Sequence, residues 1–207
     1  MNSAAILCRG SSANRLSEFT SEVDVCLLVN SWEKDIHREP FNRYVQDKRL
    51  IHYVCRTRQS VLSQKTYNKY KFSHVQLNIT SKSEDRGESE VCLKKMGIKY
   101  QYMEEDMCKW SIDGKGGFPT TGILTVVHAV KCLRIPELYI FGLDFYEAEY
   151  FTDNTLHKSK KVLHHQVEKG KVAKRFFLKF CEDSKECKFY MFSMADLPNN
   201  LDNMILM

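Results

Sequence analysis

A chain of 207 residues is long enough for one domain with a full hydrophobic core and short for two. Its 43% hydrophobic and 28% charged content excludes a disordered polymer. A net charge of +5, dispersed along the chain, suits an anionic ligand such as a nucleotide and lacks the concentrated basic stripe of a nucleic-acid binder. The eight cysteines form no CxxC pair, and several sit in apolar runs such as DVCLLVN. They read as reduced, buried thiols, not as a zinc site or a disulfide framework. The apolar runs fall short of the roughly 20 residues of a membrane span, and no signal peptide is visible. The expectation is therefore a soluble, cytoplasmic protein without a transmembrane segment, for which a homo-oligomer stays open.

In chain order, residues 4–8 (AAILC) form a continuous apolar run that opens into Arg9-Gly10-Ser11-Ser12, the pattern of a buried strand entering a small-residue turn. A second strand is predicted over 23–29, ended by Asn30. Others follow at 49–54 (RLIHYV), 75–79 (VQLNI) and 98–103 (IKYQYM), then at 138–141 (LYIF) and 188–192 (KFYMF). Helical patterns fall between them. Residues 60–69 have moderate helical spacing. Residues 84–96 carry early acids and late lysines, which complement a helix dipole. Over 120–133, Ile123, Val126, Val127, Val130 and Leu133 recur at helical spacing, and 162–180 gives a second strong helix. Apolar strands alternating with helices predict an α/β fold: one Rossmann-like domain over 1–207 with a mostly parallel sheet flanked by helices. Ligands of such sheets bind at the carboxyl ends of the strands. The polar, aperiodic stretch 147–161 is expected to be a mobile lid segment, and 81–89 is a second polar stretch.

Several side chains at predicted strand ends could carry chemistry. The turn at Gly10 and Ser11 is neither GxGxxG nor a P-loop, but small residues there let backbone N–H groups approach a phosphate. Asn30 can cap a helix or bond a ligand. Thr120 and Thr121 stand at the mouth of the 120–133 helix, where their hydroxyls can cap it or hold a carboxylate or phosphate. Tyr146 and Tyr150 follow the 138–141 strand, where phenols bond anions or pack in a core. Asp144, also at that strand end, can act as an acid or cap a turn. His164 and His165 open the late helix beside the polar segment, and histidine is the usual general base near neutral pH. His128 reads as a satisfied core residue. His37, His52, His74 and His157 have no constellation around them in sequence.

Phe118-Pro-Thr-Thr-Gly-Ile-Leu, the helix behind it, and Leu-Tyr-Ile-Phe-Gly-Leu-Asp-Phe-Tyr together resemble the sialyltransferases, most of all the bacterial lipooligosaccharide enzymes. Residues 6–12 look like that family's first strand and nucleotide turn, and 24–30 like its second strand, ended by asparagine. His165 with residues 173–178 is similar to its catalytic histidine and helix. Residues 55–115 are unmatched. The resemblance implies a single nucleotide-binding α/β domain that transfers sialic acid, or a related acidic sugar, from a CMP-activated donor to a glycan hydroxyl. The transfer would proceed with inversion and without metal or other cofactor. It implies Gly10, Ser11 and Asn30 at the nucleotide, and Thr120, Thr121 and Gly122 at the donor's carboxylate and phosphate. Tyr146 and Tyr150 would meet the leaving phosphate, and His165 would be the base. The chain departs from the family pattern at Ser11, at Phe118 and after the third strand.

Two other readings compete. A metal-dependent pterin diphosphokinase-like or motility-associated glycosyltransferase would need acidic ligands, for which Asp144, Glu147 and Glu149 are the local candidates. A non-catalytic nucleotide-binding module would keep the fold and lose the base.

Overall fold

The structure, a computed structural model, describes residues 1–55, 60–78, 87–104, 110–112, 115–117, 120–147 and 160–207, with backbone alone for 110–117 and 160–166. Eight strands form one sheet: β1 (Ser3–Leu7), β2 (Val25–Val29), β3 (Arg49–Val54), β4 (Phe72–Leu77), β5 (Tyr100–Tyr102), β8 (Glu137–Phe141), β9 (Lys188–Phe192) and β10 (Met204–Leu206). Their order is β10-β9-β8-β1-β2-β3-β4-β5, and every neighbouring pair is parallel. A separate antiparallel pair, β6 (Trp110–Ile112) and β7 (Lys115–Gly117), is a short hairpin that the sequence pattern does not announce.

The helices cover both faces, which is why the central strands β1, β2 and β8 are continuous apolar runs and do not alternate. α4 (Thr121–Lys131) and α5 (Lys160–Asp183) lie on one face, where Ile123, Val126, Val127, Ala173 and Phe177 pack on Ile6, Leu27, Ile51 and Ile140. On the other face Leu7, Leu28, Leu50 and Phe141 are covered by residues of a 3-10 helix (Ser11–Glu18), by Trp32 and by α2 (Gln64–Lys69) and α3 (Gly87–Lys95). α1 (Phe41–Val45) adds Phe41 and Val45 to that layer.

From β1 the chain progresses to β5 in one direction, then returns to place β8 on the other side of β1. The carboxyl ends of β1 and β8 therefore flank the crevice where an open parallel sheet binds ligands. The predicted architecture of one parallel sheet with flanking helices is what the structure contains. Its boundaries differ in three instructive places. β4 runs Phe72–Leu77, earlier than the predicted 75–79, so Asn78 leaves the strand. The turn after β1 is the start of a 3-10 helix, because the N–H of Ala13 returns to the carbonyl of Gly10 at 3.0 Å. β10 extends the sheet by one strand, placing Ile205 and Leu206 at an edge. The predicted lid over 147–161 and the polar stretch 81–89 lie mostly outside the described residues. Among the described residues no helix is long and apolar enough to cross a membrane.

Candidate active site at the carboxyl edge of the sheet

The crevice is organised by one buried carboxylate. Asp144 is 3% exposed and follows β8 by three residues. Its Oδ2 accepts the N–H of Ser12 at 3.1 Å, and its Oδ1 accepts the Ser12 hydroxyl, the Ser193 hydroxyl at 3.1 Å and the N–H of Met194 at 3.0 Å. The Ser12 hydroxyl in turn accepts the N–H of Gly142 at 3.1 Å, and the N–H of Gly10 reaches the Gly142 carbonyl at 2.8 Å. The ends of β1, β8 and β9 are thus clipped together by a group that faces donors alone, as an ionised carboxylate requires. Two glycines make the clip sterically possible. A Cβ on Gly10 would lie 2.2 Å from Asp144 Oδ2, and one on Gly142, whose φ is +72°, would lie 2.7 Å from the Cys8 carbonyl oxygen.

This arrangement bears on two sequence-based expectations. Of the two roles open to Asp144, the described contacts are those of a cap that holds the turns after β1, β8 and β9. The backbone N–H groups of the Gly10 turn are not a general phosphate cradle, because those of Gly10, Ser12 and Ala13 are bonded internally. Ser11, half-buried, keeps the amide that begins the 3-10 helix, and its hydroxyl touches Met194 Sδ at 3.3 Å. Arg9 adds positive charge beside this turn. Burial pushes the Asp35 carboxyl above the usual range, and the Arg9 charge offsets part of that rise.

α4 enters the same crevice. A Cβ on Gly122 would lie 3.0 Å from Cys8 Sγ and 3.1 Å from Leu143 Cδ1, so the first turn of the helix is pressed between the ends of β1 and β8. Thr120 is the N-cap: its hydroxyl oxygen accepts the N–H of Ile123 at 3.5 Å. Thr121 is 8% exposed, and its hydroxyl oxygen accepts the Asn78 side-chain N–H at 3.0 Å. Both threonine hydroxyls accept from the protein, and neither proton has an acceptor among the described residues, so each can be given to a ligand. With the N–H groups of Thr121 and Gly122, which have no partner among the described residues, they can face an anion. The Cys8 thiol beside them is pushed up by burial and by Asp144, which makes it a poor nucleophile.

On the β2 side, Asn30 adopts φ +63°, and its Oδ1 is buried without a hydrogen-bond partner. Its backbone carbonyl meets a histidine with no visible constellation in sequence. His52 of β3 is fully buried; its Nε2 meets the Asn30 carbonyl at 2.7 Å and its Nδ1 meets the Tyr67 hydroxyl at 2.7 Å. Burial lowers its pKa to about 4, so the ring is neutral: Nε2–H donates to Asn30 and Nδ1 accepts from Tyr67. His128 behaves as expected of a satisfied residue, with Nδ1 2.8 Å from the Tyr53 hydroxyl and a pKa lowered to about 4 by burial, then by His74.

On the β8 side, Phe145 and Tyr146 take φ +50° and +63°. α5 crosses them closely: a Cβ on Gly170 would lie 2.0 Å from the Phe145 carbonyl oxygen and 3.2 Å from Tyr146 Cδ2. Glu147 accepts Lys174 Nζ at 2.9 Å and the N–H of Asp196 at 3.1 Å. His164 and His165 lie on α5, but their side chains, with Tyr150, Glu149 and Phe118, fall outside the described residues. Among the described residues no cluster of three His, Cys, Asp or Glu side chains could hold a metal ion.

The solved structure of the sialyltransferase CST-II, in complex with a trisaccharide acceptor and CMP, is similar to this chain over 100% of its length and 95% of the other, with TM-score 0.56 and 13% identity. The two chains share a fold. No protein-family model matches the sequence, and no curated protein matches it. The likeness rests on the arrangement of the sheet and helices and not on retained sequence. Gly10, Ser11, Asn30, Thr120, Thr121, Gly122 and Tyr146 all stand at the carboxyl edge of this sheet. Ser12, His52 and Asn78, which help to hold them, are residues that sequence reasoning did not assign to the site, and Asp144 was read there as an acid or a turn cap and not as the clip between strand ends. The Gly142-Leu143-Asp144 spacing after an apolar strand was the available signal for the clip.

Proposed function

We propose that the protein is an inverting glycosyltransferase of the sialyltransferase type. It would transfer sialic acid, or a related acidic sugar, from a CMP-activated donor to a glycan hydroxyl without metal. The observation that carries this reading is the start of α4. There two threonine hydroxyls with free protons and a glycine are pressed into the crevice between β1 and β8. A donor with both a carboxylate and a phosphate matches that place, and the fold shared with a sialyltransferase agrees with it.

In this reading Gly10, Ser11 and Asn30 border the nucleotide, with the unpartnered Asn30 Oδ1 taking a donor from it. Thr120, Thr121 and Gly122 meet the sugar carboxylate and the phosphate. The acceptor oxygen attacks the anomeric carbon while the bond from that carbon to the phosphate oxygen breaks. The electron pair leaves with CMP, and the acceptor proton passes to His165. Hydroxyls of Tyr146 and Tyr150 stabilise the charge that grows on the phosphate.

A metal-dependent transferase is disfavoured by the described acids: Asp144 is held by four donors and Glu147 by Lys174 and Asp196. The test is a thermal-shift panel of cytidine, uridine, guanosine and adenosine monophosphates, followed by transfer from a CMP-sialic acid donor with and without chelator. Stabilisation by CMP above the others and chelator-insensitive transfer are expected. Preference for another base, or activity restored by magnesium after chelation, would refute the assignment. CMP binding without turnover on any glycan would identify a binding module.

A further inference from the structure

Asn78 stands directly after β4, with its backbone N–H on the Val54 carbonyl at 3.1 Å. Its side chain crosses to the other end of the crevice, where Nδ2–H donates to Thr121 Oγ1 at 3.0 Å. Its Oδ1 is buried without a hydrogen-bond partner. A threonine hydroxyl has one proton and two lone pairs, so an N–H that occupies a lone pair leaves the proton for something else. The backbone carbonyl of Thr121 is meanwhile taken by the Thr125 hydroxyl at 2.8 Å. A buried amide oxygen without a donor is costly in a finished core, and that cost disappears if a ligand supplies one.

We propose that Asn78 is a positioning residue of the anion site at the start of α4. Its amide N–H fixes the Thr121 hydroxyl as a donor to the ligand's anionic group, and its Oδ1 accepts an N–H or O–H of the same ligand. This rests on the nucleotide-sugar reading of that site, and it adds a residue to which sequence pattern gave no role.

The test reverses the polarity of one hydrogen bond. Asn78→Asp is isosteric, but an ionised carboxylate accepts the Thr121 proton and repels the anion. CMP binding is measured by calorimetry on the full chain at pH 8 and pH 5, each value relative to wild type at the same pH, with melting curves to verify folding. Asn78→Asp should weaken CMP binding about 100-fold at pH 8 and recover in part at pH 5, because burial and the ligand's negative charge raise the new carboxyl above its ordinary value of about 3.9 and its protonated fraction donates to Thr121 again. Asn78→Ala should lose about tenfold at both pH values. A role in folding alone would not produce that pH-dependent recovery. The second arm is a double-mutant cycle with Thr121→Val: Asn78→Ala should cost clearly less once the hydroxyl is gone, because only the Oδ1 contact to the ligand remains to be lost. Losses that add in the cycle, or variants that bind CMP within about twofold of wild type, overturn the inference. If Asn78→Asp does not fold, the Asn78→Ala cycle decides alone. Wild-type protein that binds no CMP refutes the nucleotide reading itself, a different result from wild-type binding with indifferent variants.

Discussion

Asp144→Asn is the sharpest perturbation of the site's framework. The side chain keeps its shape, and a carbonyl oxygen at the Oδ1 position can still face Ser12 Oγ, Ser193 Oγ and the N–H of Met194. The new NH2 then occupies the Oδ2 position, 3.1 Å from the N–H of Ser12, where donor meets donor. One charge-assisted bond is lost, a buried N–H is left unsatisfied, and the three remaining bonds lose the full charge of their acceptor. Hydrogen bonds to charged groups contribute about 1.5–3 kcal/mol, so a loss of about 3 kcal/mol is expected. For a domain of this size that lowers the melting midpoint by roughly 6–12 °C. Asp144→Ala, which leaves the Ser12 hydroxyl and the N–H groups of Ser12 and Met194 without their acceptor while the Ser193 hydroxyl keeps the Leu143 carbonyl at 3.0 Å, should cost more. The assay is thermal or urea unfolding of wild type, Asp144→Asn, Ser12→Ala and the double variant. Ser12 and Asp144 share two bonds, so their effects should fall well short of additivity. A midpoint for Asp144→Asn within about 1 °C of wild type, or strict additivity, would show that the carboxylate does not hold the three strand ends together.

Gly170→Ala places a methyl group 2.0 Å from the Phe145 carbonyl oxygen, so α5 must shift from the Tyr146 turn; melting should drop by several degrees and transfer should fall with it, measured as Tm and initial rate. His52 is neutral in the folded chain with a pKa of about 4 and titrates near 6.5 when unfolded. The unfolded state therefore binds more protons between those values, and stability present above pH 6.5 is lost, by about 3 kcal/mol, as pH falls toward 4. Urea midpoints across pH 4–8 should show this slope, reduced in His52→Gln. For the proposed chemistry, His165→Ala should cut turnover by at least about 100-fold with nucleotide binding kept and His164→Ala mild, while Tyr146→Phe should lower kcat more than donor affinity; full activity in His165→Ala would remove the base.

The sheet and its two helical layers were legible in the sequence because burial on both faces leaves one signature, continuous apolar runs such as 25–29 and 138–141, separated by helical periods. The helix mouth at Thr120, Thr121 and Gly122 was legible too, since capping chemistry and small residues are local. What only the tertiary structure decided is the partnership between strand ends. Asp144 lies 132 residues from Ser12, and Asn78 lies 43 from Thr121. Parallel strands joined by crossovers bring such residues together through register and strand order, which no local pattern encodes. For the same reason His52, lone in sequence, is the residue that fixes the Asn30 carbonyl, and Asn78 was hidden inside a predicted strand. Hydrophobic periodicity follows from each segment's own environment, whereas a hydrogen bond at the carboxyl edge exists once distant segments have been stacked side by side.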